Sequence, residues 1–248
     1  MAISKYYSSG RGLKSEGMET LEAVQRESKE RLYPSLTNPN WLVLRRRRQI
    51  FQRWIARLET SDLAVLDVGG RVQPYRLLLE GKLRRYVAID LRRTPLIGVM
   101  ARAEQMPFSS AQFDLVICTQ VLEYVPDPAA AIAEIYRVLR PGGCLLLSVP
   151  AIFPRDSEQD SWRFLPAGLR IQLRSFKRVE IASEGASVAG LFRTFAVWLT
   201  MLVRPAFAGI LLRYTAIPLL NLTAVSLESW FAISNDQFAA NYSALAEK

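Results

Sequence analysis

Short apolar runs that end in polar residues punctuate the middle of the chain. Leu63 to Leu66 leads into Asp67, and Tyr86-Val-Ala-Ile89 leads into Asp90. Phe113-Asp-Leu-Val-Ile-Cys-Thr119 and Cys144-Leu-Leu-Leu-Ser-Val149 continue the series. Runs of this length, apolar at successive positions, predict strands buried on both faces, near 63–68, 85–90, 98–102, 114–119 and 143–149. Ile132, Ile135, Tyr136 and Leu139 recur at helical spacing and predict a helix over 128–139, which Pro141-Gly142-Gly143 should stop. Too few residues separate Asp90 from the next strand for an ordinary crossover helix. Residues 177–182 read as a late strand.

The flanks differ from this core. Residues 1–16 look loose around Ser8-Ser-Gly-Arg-Gly12, and 17–32 could form an exposed helix. From Asn40, a candidate cap, a helix is expected to about Leu58, with Leu44, Ile50, Phe51, Trp54, Ile55 and Leu58 as its apolar stripe. From Val188 to Ile233 the chain is apolar and aromatic, with Arg193, Arg204, Arg213 and Glu228 as its only charges. Its clean runs are shorter than the roughly 20 residues that cross a bilayer, and Pro205 and Pro218 interrupt it, so a simple transmembrane helix is not expected. Two readings remain open: helices lying in a membrane interface, or a cap, lid or dimer face on the core. The expected division is 1–60, an N-terminal extension with a basic amphipathic helix; 61–187, the core; and 188–248, an apolar helical tail.

Composition narrows the chemistry. The 248 residues contain no histidine, which excludes His-based zinc sites, Ser-His-Asp triads and histidine bases. The two cysteines, Cys118 and Cys144, fall in expected core strands and suggest neither a metal site nor a disulfide. Net charge is +9, but residues 1–60 alone hold 12 basic and 6 acidic side chains. The excess centres on Arg45-Arg-Arg-Arg48, whose consecutive positions wrap around a helix. That run is either a solvated turn of a docked helix or a patch for acidic head groups or a diphosphate. Nucleic acid is the less favoured partner. A polar N-terminus without an apolar h-region gives a cytoplasmic expectation, with a peripheral position on the inner membrane face as an addition.

The motifs give a more specific reading. Val65-Leu-Asp-Val-Gly-Gly-Arg71 is a strand, an acid and a tight glycine turn, and Asp90 follows Asp67 by 23 residues. That is near the spacing of a nucleotide-type βαβ unit whose second acid holds ribose hydroxyls. Ala103-Glu-Gln-Met-Pro-Phe108, Val121-Leu-Glu-Tyr-Val-Pro-Asp-Pro128 and Arg140-Pro-Gly-Gly143 follow in order. Over about residues 62–150 the series resembles the class I S-adenosylmethionine-dependent methyltransferases, in their methyltransferase type 11-like branch. The resemblance implies an α/β fold: a Rossmann-like, doubly wound, mostly parallel seven-stranded sheet.

It also implies S-adenosyl-L-methionine as cofactor and a set of contacts for it. Asp67 would lie near the amino-acid end, and Gly69 and Gly70 would let backbone pass the methionine moiety. Arg71 stands where the family usually has a further glycine, and could instead face a substrate anion. Asp90 would accept from both ribose hydroxyls, with Leu91 on the adenine. Ala103 and Glu104 would flank the adenine, although Arg102 replaces the usual acid before them. Thr119 and Gln120 would border the methyl group.

Tyr124 occupies the position of a family histidine near the acceptor. The segment Arg155 to Pro166 is similar to one in methyltransferases of glycan biosynthesis. It offers Asp156, Glu158 and Asp160 as candidate bases, and Trp162 and Arg163 as acceptor contacts; a plain anchoring loop is the competing reading. No resident metal is expected. The leading expectation is O-methylation of a sugar on a cell-surface glycan or lipid-linked precursor. A quinone- or polyketide-like acceptor is the alternative, and a non-catalytic cofactor-binding membrane scaffold is the third reading.

Overall fold

The computed structural model describes residues 19–58, 61–155, 157–203 and 206–248. Its centre is a seven-stranded sheet: β1 (Leu63–Val68), β2 (Leu83–Asp90), β3 (Val99–Met100), β4 (Phe113–Thr119), β5 (Leu139–Pro150), β6 (Arg178–Ser183) and β7 (Asn241–Glu247). The spatial order is β3-β2-β1-β4-β5-β7-β6. Neighbours pair in parallel as far as β5, and β7 runs antiparallel to both β5 and β6. This is the expected Rossmann-like doubly wound architecture.

Period-two alternation decides what each face covers. Ala64, Leu66 and Val68 of β1 join one apolar cluster with Ile132, Ile135 and Val138 of helix α3 (Pro128–Val138). Leu63 and Val65 join a second cluster on the opposite face, with Ile50, Phe51, Trp54 and Ile55 of α2 (Trp41–Ala56). The basic N-terminal helix is therefore one of the layers covering the sheet. Its aromatic stripe docks it, and Trp54 also donates to Glu180 on β6 at 2.8 Å. Ahead of it, α1 (Leu21–Leu32) starts on a Thr20 cap whose hydroxyl accepts from the Ala23 amide.

Several expectations change. Asn40 stands at the start of α2 without capping it; its Oδ1 accepts from Arg193 instead. The four arginines do not form one patch. Arg47 points inward and is buried, while Arg45 covers the Trp41 ring and Arg48 the Tyr33 ring. Asp127 caps α3 through two amides at 3.0 Å, and Pro128 fills the first turn. The chain then enters β5 at Leu139, before the Pro-Gly-Gly turn that was expected to end the helix. Lys248 supplies the missing stop, its ammonium donating to the carbonyls of Tyr136 and Leu139.

The segment after β6 forms α5 (Ser187–Leu202), α6 (Ala206–Tyr214) and α7 (Ala216–Trp230). Only Thr215 separates α6 from α7, and Ala206–Trp230 is a 25-residue helical stretch long and apolar enough to cross a membrane by length and composition. The sequence expectation of a shorter, broken run is corrected here. Pro218 lies in the first turn of α7, where an amide hydrogen would have no helical acceptor anyway.

The tail boundary at 188 also shifts in meaning, because β7 lies beyond it yet fills the sheet between β5 and β6. Contacts hold these helices to the core. Asn221 donates to the carbonyls of Leu36 and Asn38, and Glu228 accepts from the Ala189 amide. At Gly190, a Cβ would sit 1.8 Å from the Phe238 carbonyl oxygen, so only glycine lets α5 pass the approach to β7.

Candidate active site

The carboxyl ends of β1, β2, β4 and β5 face one side of the sheet, the place where a doubly wound sheet opens to ligands. After Val68 the chain turns through Gly69 and Gly70, whose amides both donate to the Ile89 carbonyl at the end of β2 (2.9 and 3.1 Å). Gly69 has φ +72°, and a Cβ there would lie 2.2 Å from Val121 Cγ2. A Cβ on Gly70 would stand 2.6 Å from the Asp67 carboxyl carbon. The turn is thus a cradle that side chains would fill.

Two carboxyls flank it. Asp67 is buried and accepts from the Tyr86 hydroxyl at 2.6 Å. Burial pushes its pKa up to about 7; the nearby Asp90 charge adds to this, and the Tyr86 bond opposes it. Asp90 is also raised, first by burial, although the Arg92 amide donates to it at 2.8 Å. A raised carboxyl stabilises the fold while protonated. Its contribution is complete below pH 4 and is lost as pH rises through about 7. Urea unfolding of the ligand-free protein is expected to show a stability loss of about 2–3 kcal/mol from this group between pH 5 and 8. Asp67→Asn should remove that portion of the slope; an unchanged slope would mean Asp67 ionises normally.

Arg71 does not face an open anion site. It pairs with Glu19 (2.7 Å) and Glu27 (2.5 Å) from the N-terminal segment. Burial alone would lower its pKa, but these two carboxylates hold it above the ordinary value. The arginine in place of a glycine therefore fastens α1 over the β1 turn.

Leu91 is largely exposed beside Asp90, and Ala103 is buried. Glu104 pairs with Arg102 at 3.1 Å, which engages the residue that replaces the expected acid. Thr119 ends β4. Gln120 follows with φ +55°, its amide on the Ser148 carbonyl and its side chain on the Ser148 hydroxyl.

The segment after β5 docks against the turn after β4, because the Ser161 and Trp162 amides both donate to the Glu123 carbonyl. Of its three acids, Asp156 lies outside the described residues. Asp160 is clamped by Arg163 through both oxygens, which leaves it unsuited to taking a proton from a ligand. Glu158 is exposed. The Trp162 indole donates to the Val125 carbonyl at 3.0 Å and leaves the ring 42% exposed. Arg163 also holds the Phe153 carbonyl, and Tyr124 sits half-buried on the adjoining turn.

Three features escaped the sequence reading. Glu123 is buried, its Oε2 has no hydrogen-bond partner, and burial lifts its pKa to about 8. Its one visible signal was a charge inside Val121-Leu-Glu-Tyr124. The second feature is a polar network under the site. Glu184 Oε1 accepts from Arg47 Nε (2.9 Å), Ser148 (2.6 Å) and Ser243 (2.7 Å), and Oε2 lies 2.8 Å from Arg47 Nη2. Gln120 and Asn241 extend it. The third is Arg193, buried on α5.

Residues 66–147 match the methyltransferase domain family. A probable S-adenosylmethionine-dependent methyltransferase of Mycolicibacterium smegmatis is 31% identical over 131 residues, which cover 49% of this chain and 50% of the relative. A ubiquinone biosynthesis O-methyltransferase of Pseudomonas paraeruginosa is 43% identical over 67 residues, covering 27% of this chain and 26% of that one. The chain therefore spans half or less of the length of these curated relatives.

Among solved structures, the cyclase SpnF superposes with a TM-score of 0.52 at 19% identity, covering 81% of this chain and 80% of that chain. N-methyltransferase 2 of Haemonchus contortus, in complex with phosphomonomethylethanolamine and S-adenosylhomocysteine, gives 0.51 at 13%, over 89% and 59%. These two likenesses are of fold alone. Residues 66–147 therefore carry a methyltransferase domain of the class I S-adenosylmethionine-dependent type.

Proposed function

We propose that this protein transfers a methyl group from S-adenosylmethionine to an oxygen of a lipophilic acceptor reached at an apolar surface. The observation that carries the methyl-transfer reading is the side-chain-free cradle at Gly69 and Gly70, with Asp67 and Asp90 at its two sides. In this reading Asp90 holds the ribose hydroxyls and Leu91 covers the adenine. Ala103 and Glu104 border the adenine edge, and Asp67 faces the cofactor's amino-acid end. Thr119 and Gln120 line the approach of the acceptor, with Tyr124, Trp162 and Arg163 beyond them.

When bound, the cofactor supplies a sulfonium-activated methyl group for in-line displacement. The chain's own task is then to hold the acceptor oxygen aligned and to exclude water. Among the described residues, exposed Glu158 is the sequence-proposed acid left to receive the acceptor's proton.

Support for a lipophilic acceptor comes from α5–α7, where Phe195, Trp198, Phe207, Ile210, Leu211 and Trp230 are all exposed. The partial likeness to ubiquinone biosynthesis O-methyltransferases points the same way. A membrane surface is the proposed location, with the outward arginines of α2 and exposed Arg213 available to anionic head groups. The sugar-acceptor reading is favoured by one observation, the half-exposed Trp162 ring beside the site.

Isothermal titration with S-adenosylmethionine and S-adenosylhomocysteine tests the core of the proposal. Micromolar binding of both is expected; no heat from a folded sample would reject it. Turnover on quinol-type rather than glycosyl acceptors would then decide between the two acceptor classes.

A further inference from the structure

Among the described residues three arginines are buried: Arg47, Arg71 and Arg193. Arg47 has Glu184, and Arg71 has Glu19 and Glu27. Arg193 makes no ion pair among the described residues. Its partners are all neutral: Nε donates to Asn40 Oδ1 at 2.9 Å, Nη1 to the Ile152 carbonyl at 3.4 Å, and the guanidinium lies 4.2 Å from the Phe153 ring centroid. Nη2 donates no hydrogen bond among the described residues.

Burial first, then the charge of Arg47 and to a lesser degree that of Arg163, against the opposing Glu184, together bring the pKa of Arg193 down to about 9. A buried cation without a counter-charge carries an uncompensated desolvation cost, which an incoming anion would offset.

The position is as informative as the charge. Ile152 and Phe153 directly follow β5, on the side where the acceptor is proposed to enter. Arg163 takes the Phe153 carbonyl with Nε and Nη2 (3.3 and 3.2 Å), while Arg193 covers the Phe153 ring. Asp160 neutralises Arg163, so the uncompensated charge at this corner belongs to Arg193. We propose that Arg193 is the recognition point for an oxyanion, a phosphate or carboxylate, borne by the methyl acceptor. The proposal rests on the methyltransferase reading and names a property of its acceptor. A guanidinium suits this task because it stays cationic near neutral pH and directs its free N–H in a fixed plane.

Calorimetry on the full chain tests it with three probes: inorganic phosphate, dodecyl phosphate and the neutral dodecyl glucoside. Each is titrated with S-adenosylhomocysteine present and absent. Dodecyl phosphate is expected to bind at least about tenfold more tightly than dodecyl glucoside, and Arg193→Gln should abolish that preference. Inorganic phosphate binding as tightly as dodecyl phosphate would assign the oxyanion to a soluble acceptor; weaker binding would assign it to a lipid-borne one.

Equal affinity for the anionic and neutral amphiphiles in the wild type would overturn the proposal. That comparison needs no variant, so it stands even if Arg193→Gln does not fold; Arg193→Lys, which keeps the cation, should retain part of the preference. Loss of S-adenosylhomocysteine binding in Arg193→Gln would also overturn it, since the anion would then be the cofactor's own carboxylate. If the wild type binds no S-adenosylhomocysteine, the methyltransferase reading falls, and the anion comparison is read separately.

Discussion

Asp90→Ala is expected to weaken S-adenosylhomocysteine binding by about 100-fold or more while leaving the ligand-free protein at least as stable as before. In the proposed site one carboxylate accepts from two ribose hydroxyls, and a charge-assisted bond contributes about 1.5–3 kcal/mol. Losing two such bonds multiplies the dissociation constant by at least two powers of ten. Stability should move the other way. Burial raises the pKa of Asp90, and the Asp90 charge in turn raises that of Asp67, so the ionised group is held against a cost. Removing it relieves that cost and leaves the β2–β3 pairing intact, because its bonds are backbone ones. Calorimetry and urea unfolding of the same sample separate the two effects. Binding within threefold of wild type would refute the ribose role, and loss of both properties would indicate a structural part.

The second large effect lies beneath the site. Arg47→Met should destabilise the fold by roughly 3–5 kcal/mol, because it leaves Glu184 buried without its guanidinium. For a chain of this size that corresponds to a fall in Tm on the order of 10 °C. Ser148 and Ser243 still donate to Glu184, which places the expected loss toward the lower end. The double variant Arg47→Met with Glu184→Leu should recover much of the stability, since no charge remains to be compensated. Thermal unfolding of the two single variants and the double reads the coupling directly; additive losses would mean the pair is not a unit.

How much of this was legible in the sequence follows from what each residue answers to. Strands β1 and β4 and the second half of β5 were readable because they are buried on both faces and so are written as apolar runs. The Asp67–Gly70 turn was readable because tight backbone approach restricts the residue types that fit. Strand β7 was not. Asn241-Tyr-Ser-Ala-Leu-Ala-Glu247 has few β-branched residues, and its place between β5 and β6 comes from tertiary pairing rather than local propensity. The inward turn of Arg47 was equally hidden, since its partner lies 137 residues away. Arg71 looked like a departure from a glycine pattern, and only the distant acids Glu19 and Glu27 explain it. The ion pair on the candidate base Asp160 was hidden too, since Arg163 three residues on was read as an acceptor contact.

The interior position of β7 has a consequence for biosynthesis. Among the described residues, strand β6 pairs in the sheet with β7 alone. As the chain leaves the ribosome, β1 to β5 can assemble, but β6 must wait until α5, α6 and α7 have all been made. The apolar helices are thus exposed to their surroundings while the sheet still has an open slot, and Glu184 lacks its Ser243 bond until that slot is filled. Closure depends on the chain's most sequence-distant pairings, which form late. A lipid or chaperone that takes up the apolar helices at this stage does so before the sheet is finished, so the rate of early capture and the rate of β7 insertion compete during synthesis.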